Sequence, residues 1–331
     1  MNKQETKIPI SVLELATVTQ GGNHLKAIQN TVAIAQHAEK LGYQRIWMAE
    51  HHNMEYIASS ATSVVIGHVA GKTKKIRVGS GGIMLPNHSP LVIAEQFGTL
   101  ETLYPDRIDL GLGRAPGSDQ QTAMALRRGQ ETAHSFPNDI RQLQKYFSKS
   151  NSTAAVRAFP GEGLDIPIWI LGSSTDSAFL AAEMGLPYAF ASHFAPAQMY
   201  KAFHIYRNNF KPSAVLQKPY VMACVNVLAA DTDEEATVLL NTLIGLFVGI
   251  ITNTRKPIGE SKDLPEAYKI PEVKHMVDNM MSCTFYGSEA SISTSLQKFI
   301  ADVEIDELMV ASHIYDLDAK LKSFSILKNA L

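Results

Sequence analysis

Residues 43–52, YQRIWMAEHH, decide the fold: a short apolar run rich in strand formers leads straight into Glu50, His51 and His52. Proton-moving and metal-binding groups at the end of a rigid strand suggest a site carried on a scaffold. The next residues, SSATSVVIGHVAGKT (59–73), read as a helix whose start Ser59 or Ser60 can cap.

The same strand-then-helix unit recurs on both sides. Upstream, IPISVLEL (8–15) is followed by Leu25, Ile28, Val32, Ala35, Ala38 and Leu41 at three- and four-residue steps, with Gly42 as the stop. Downstream come KIRVGSGGIMLP with a helix from about Pro90 to Tyr104, and RIDLGLGRAPG (107–117). A polar stretch, 115–165, predicts a helix near 138–147 and a loop, FPGEGLDIP; it reads as an insertion because the alternation resumes after it. PIWILGSS, PYAFASHF, PYVMACVNVLAA and DELMVASHIYD are the remaining strands, each with a helix behind it.

Eight such units predict one (β/α)8 TIM barrel over residues 1–331, with insertions after strands four and seven. A doubly wound open sheet is disfavoured, since no glycine fingerprint opens a helix after the first strand.

The chain has 331 residues, 45% of them hydrophobic, and a formal net charge of −2. That is enough apolar material for a large core, and the charge argues against a nucleic-acid partner. The start, MNKQETKIPISV, has neither a signal-peptide core nor an apolar span, so a cytoplasmic location without a membrane partner is expected. Cys224 and Cys283 match no metal or redox spacing and read as small buried residues.

In such a barrel the working groups collect where strands end. These are Glu50, His51 and His52; Gly81 and Gly82; Arg114; Gly172 to Ser177; and His193 and His313. In GSSTDS (172–177), Gly172 permits close backbone approach, and Ser173, Ser174 and Ser177 offer hydroxyls beside a helix N-terminus, a setting that attracts a phosphate. An ordinary cap by Ser174 or Asp176 is the plainer reading. Arg114 can neutralise the same phosphate or sit in a surface salt bridge. Adjacent strand residues point to opposite faces, so His51 and His52 do not bind one metal ion together, and no metal is assigned. Glu50 and His51 are then the candidate proton-handling pair, with a hydrogen-bonded cluster that stiffens the mouth as the alternative.

The stretches AEHHN (49–53), GSGGIMLPNHSPLVIAEQFGTLETLYPDRIDLGLGRAPG (79–117) and LGSSTDSAFLAAEMGLPYAFASHF (171–194) resemble the bacterial luciferase-like, flavin-dependent monooxygenases, and the likeness runs over essentially the whole chain. The resemblance implies reduced FMN supplied by a separate flavin reductase. It also implies a flavin carbon-4a hydroperoxide formed with O2, and oxygenation of a small organic substrate such as an aldehyde. By position, His51 matches the histidine of flavin oxidation chemistry, Arg114 the arginine on the FMN phosphate and Ser173 the serine of the phosphate loop. Gly81 and Gly82 fall where these proteins place a non-proline cis peptide against the flavin ring. Luciferases carry a reactive cysteine before the matching arginine; this chain has Gly113, a difference that bears on light emission and not on flavin binding.

A deazaflavin-dependent oxidoreductase of the same superfamily and a non-catalytic flavin-binding relative are the alternatives within this resemblance, and a metal-dependent barrel hydrolase stands outside it. The family also implies a homodimer built on helices near strands two and three. The stretch 252–288, with three prolines and mixed charge, is the expected lid over a site that must exclude water; its Met276, Met280 and Met281 could instead be a helix's core face.

Overall fold

A computed structural model of the chain describes residues 8–115, 119–126, 130–260 and 263–331, and the side chains of all but 130–133 among them. The polar start before Ile8, the tail of the fourth unit at 116–117 and positions 261–262 of the expected lid lie outside the described residues.

The strands are β1 Ile10–Glu14, β2 Arg45–Met48, β3 Arg77–Met84, β4 Ile108–Gly113, β5 Ile168–Gly172, β6 Tyr188–Phe190, β7 Val221–Ala229, β8 Thr284–Gly287 and β9 Glu307–Ala311. All pairings are parallel, and β6–β7, β7–β9 and β9–β1 contacts close the sheet into an eight-stranded barrel. The eighth barrel strand is thus β9. Strand β8 is an addition: it pairs with Asn226–Ala229, the end of β7 beyond the Val221–Ala223 segment held by β6.

Side chains alternate between two apolar layers, as the period of a strand requires. Val12, Ile46, Val78, Leu110, Ile170, Val225 and Val310 pack outward under the helices. Leu13, Trp47, Trp169, Met222 and Met309 fill the barrel. The floor is a buried ion network. Arg45 reaches Asp109 at 2.7 Å and Glu307 at 2.8 Å, and Arg77 reaches Asp109 at 2.7 Å. Glycines let β3 and β4 approach: a Cβ on Gly111 would lie 2.2 Å from the Ser80 carbonyl oxygen.

Several local expectations change. The first helix, His24–Lys40, buries Ala27, Thr31, Ile34, Ala35 and Ala38, and leaves Leu25 65% exposed. Small residues let this helix lie close to the barrel, so its buried face is rotated from the one the larger residues marked. Ser59 caps nothing; its hydroxyl donates to the carbonyls of Leu15 and Ala49 and ties the ends of β1 and β2. The insertion helix runs from Gln130 to Phe147, because buried Phe136, Ile140, Leu143 and Phe147 carry the helical spacing through Pro137. Within the described part of 252–288 lie a turn at Glu266–Lys269, a helix at Pro271–Met280 and β8, and a further helix, Glu289–Val303, precedes β9. Met280 and Met281 pack on the cluster around Leu243 and Phe247, whereas Met276 is 51% exposed.

The helix Asp233–Ile251 is long and apolar enough, by length and composition alone, to cross a membrane. Here it flanks the barrel, with Leu243, Ile244, Phe247 and Val248 buried against Leu228 and Val277.

Candidate functional site

The strand ends bring the expected groups to one rim. Glu50, just past β2, is 1% exposed and anchors a cluster. His52 Nε2 lies 2.8 Å from Glu50 Oε1, and His88 Nε2 lies 3.0 Å from both carboxylate oxygens. Asn87 Nδ2 donates to Oε1 and the Met84 amide to Oε2, each at 3.1 Å. Burial alone pushes this carboxyl up. The His52 and His88 hydrogen bonds, the His88 charge and the Met84 amide outweigh it, and the group ends at about 2.

Donor atoms of Glu50, His52 and His88 lie within 4.8 Å of one another, so these three could hold a metal ion. The candidate set is therefore not the adjacent pair His51 and His52. The carboxylate already accepts from four neighbouring groups, which satisfies its charge without an ion. Nothing in the sequence separated His88 from other histidines. It follows the turn Leu85–Asn87 after β3, and the fold carries it back to β2.

His51, His193 and His313 continue the inward-facing alternate positions of β2, β6 and β9, beyond Ala49, Ala189 and Ala311. Burial first, then the charges of His313 and His51, lowers the His193 pKa to about 3. Burial and the Lys320 ammonium lower His313 to about 4, partly offset by Glu14. Both rings are neutral at physiological pH. Behind His313 a small cavity is lined by Glu14, Asn30, Ser312 and Lys320. In it Lys320 Nζ meets Glu14 Oε2 at 2.6 Å, a partly buried pair that sequence spacing did not reveal.

Across the rim, Gly81–Gly82 is a non-proline cis peptide, and the β3–β4 register shifts between Gly81 and Ile83. Next to it, Arg114 Nη2 lies 3.2 Å from Asp176 Oδ2, both side chains being exposed. Asp176 thus neither caps its helix nor faces solvent alone.

Ser174 is the N-cap residue of the helix Thr175–Met184 but makes no capping bond with its side chain, and Ser173 is exposed. Ser177 departs from its expected role. Its hydroxyl donates to the Ser174 carbonyl at 2.7 Å and lies 2.9 Å from the Tyr188 hydroxyl, so it shapes the loop rather than offering a proton to an anion. Gly172 is required by that turn, since a Cβ there would meet Ser177 Oγ at 1.9 Å.

The two insertions also reach the rim. Asn53 Nδ2 donates to Asp119 Oδ2 at 3.1 Å, and the Gln20 amide donates to the Ile258 carbonyl at 2.7 Å.

The luciferase-like monooxygenase family model matches residues 9–278. A luciferase-like monooxygenase of Escherichia coli (strain K12) is 48% identical, over 96% of this chain and 96% of its own length. Among solved structures, apo-MsnO8 superposes with a TM-score of 0.87 at 30% identity, covering 98% of each chain. The oxygenating constituent of 3,6-diketocamphane monooxygenase from Pseudomonas putida, in complex with FMN, shares the fold with a TM-score of 0.72 at 16% identity, covering 97% of this chain and 96% of its own.

Proposed function

Since the chain belongs to the luciferase-like, flavin-dependent monooxygenase family and is an oxidoreductase of that kind, we propose that it takes reduced FMN from a separate flavin reductase. With O2 it then oxygenates a small organic substrate at the rim of the barrel. The observation that carries this reading is the convergence of Arg114 with the helix N-terminus at Ser173 and Ser174, beside the Gly81–Gly82 segment.

The residues fit the cofactor. Ser174 does not cap the first turn, whose Thr175 amide donates instead to Gln198 Oε1 at 3.2 Å, and together with the guanidinium at the same end this turn would form an anion site once a phosphate displaces Gln198. Arg114, Gly172, Ser173 and Ser174 would hold the phosphate, and Gly81 and Gly82 would offer bare backbone to the ring. When bound, the reduced flavin supplies two electrons to O2, one oxygen atom going to the substrate and the other to water.

The chain's own groups supply the rest. His51 holds or moves a proton near the reacting atoms. Glu50 fixes His52 and His88, and so sets the rim on which His51 sits. Neutral His193 and His313 bring no cationic proton donor of their own into the site. The 252–288 insertion serves as the cover, supported by its contact with the β1 loop at Gln20. A homodimer would use the helices Thr62–Ala70 and Pro90–Leu103, where Val64 is 70%, Val92 44% and Leu103 61% exposed.

The test is oxygen consumption by the protein with an NADH-driven flavin reductase and FMN. A panel of aldehydes, thioethers and ketones should contain compounds that gain one oxygen atom from 18O2. No label in any compound, together with no FMN binding, would remove the reading.

A further inference from the structure

Two buried polar atoms on the β6–β7 side of the mouth have no hydrogen-bond partner among the described residues: His193 Nδ1 and Asn226 Oδ1. Their residues are joined, because Asn226 Nδ2 donates to the His193 carbonyl at 2.6 Å and to Thr284 Oγ1 at 3.2 Å. The first bond fixes the orientation of the amide, since turning it over would set Oδ1 against a carbonyl oxygen. Asn226 is 1% exposed. An acceptor so deep and unanswered occurs in native proteins mostly where water or a ligand completes it.

Their place is suited to a ligand. Asn226 continues the inward face of β7 above Met222 and Cys224, and His193 continues that of β6 above Ala189, so the nearest inward-facing side chains of the cluster beneath the two are the small Cys224 and Ala189. The histidine facing them, His313, is neutral, and the nearby Lys320 ammonium is paired with Glu14. The site therefore offers hydrogen bonding without a spare charge.

We propose that His193 and Asn226 form a substrate-orienting subsite for a small neutral molecule bearing an amide N–H or a hydroxyl. The ligand's hydrogen is donated to Asn226 Oδ1, and its neighbouring oxygen or nitrogen meets His193 Nδ1. The pair selects neutral hydrogen-bond donors over esters, ethers and alkanes of equal size. The proposal rests on the flavin reading in one respect only, that the ligand here is the substrate and not an edge of the cofactor.

The probes are N-methylpropanamide and methyl propanoate, which differ in N–H against O. Their binding is measured by ligand-observed NMR on the whole chain, with and without saturating FMN. The amide should bind at least about fivefold more tightly than the ester in both states, the size of one net hydrogen bond. Asn226→Leu should abolish the preference, whereas His193→Phe, which removes the contact to the carbonyl oxygen that both probes carry, should weaken both about equally and leave the preference. His193→Asn, which keeps a polar atom near the Nδ1 position, should recover the affinity that His193→Phe loses, and this pair decides the matter if Asn226→Leu does not fold.

Equal binding by the wild type, an undiminished preference in Asn226→Leu, or wild-type affinity for both probes in His193→Phe overturns the subsite. A preference present without FMN and lost with it assigns these atoms to the flavin and overturns the substrate role. A preference that persists while the same samples bind no FMN leaves the subsite standing and removes the flavin reading instead.

Discussion

Arg114 and Asp176 face one another at 3.2 Å between the end of β4 and the first turn of the helix after β5, with side chains 50% and 69% exposed. An ion pair this open contributes little, because water and salt screen it. In the proposed FMN complex, trading the carboxylate for a phosphate would therefore be an inexpensive rearrangement, with Asp176 as the anion displaced.

Arg114→Ala should weaken FMN binding by roughly 10- to 100-fold, the size of a charge-assisted bidentate contact. Riboflavin binding should stay within about twofold. Asp176→Asn should strengthen FMN binding modestly. Calorimetric titration of both ligands checks this, and an equal loss for the two in Arg114→Ala would argue against a phosphate contact.

Glu50 is expected to act chiefly as an anchor. Glu50→Ala strips the acceptor from His52, His88, Asn87 and the Met84 amide, and should lower the unfolding free energy by about 2–4 kcal/mol. Glu50→Gln, which keeps one acceptor oxygen, should lose less. Urea unfolding with wild-type m-values is the measurement. Unchanged stability in Glu50→Ala would remove the anchoring role.

His51→Ala should leave FMN affinity nearly intact and change the rate or yield of substrate oxidation in a single turnover. Wild-type kinetics in this variant would take away its assigned part.

Stability should depend on pH with a sign set by His193 and His313. His193 and His313 have folded pKa values of about 3 and 4, below the ordinary 6.5, so the unfolded chain binds more protons between those values and 6.5. Stability should thus fall as pH drops below 6.5, by at most about 1.4 kcal/mol per pH unit for each ring. Glu50 adds a second loss only between 4.5 and about 2. His193→Asn should flatten the slope between pH 5 and 6.5, which thermal melts across that range would show. A wild-type profile flat over this window would contradict it.

The barrel was legible because each strand is a short apolar run ending in a polar or glycine group, and each helix repeats at three to four residues. Glu50, His51, Arg114 and the serine loop stood out for the same reason: they interrupt apolar strands at their ends. Asn226 did not, because it sits inside the run VMACVNVLAA and reaches the rim only because β7 outlasts β6. Ser59, His88 and the Glu14–Lys320 pair depend on contacts across long stretches of chain, which residue spacing does not encode. Strand β8 and the helix Pro271–Met280 before it were hidden in a segment, 252–288, whose prolines and charges read as a loop.

The most direct test of the central claim is a crystal structure of the FMN complex. The account predicts the phosphate within hydrogen-bonding reach of the Arg114 guanidinium and the Ser173–Ser174 loop, with the ring over Gly81–Gly82 and the Arg114–Asp176 contact broken. A flavin bound elsewhere, or a phosphate turned toward solvent with Arg114 still on Asp176, would contradict it.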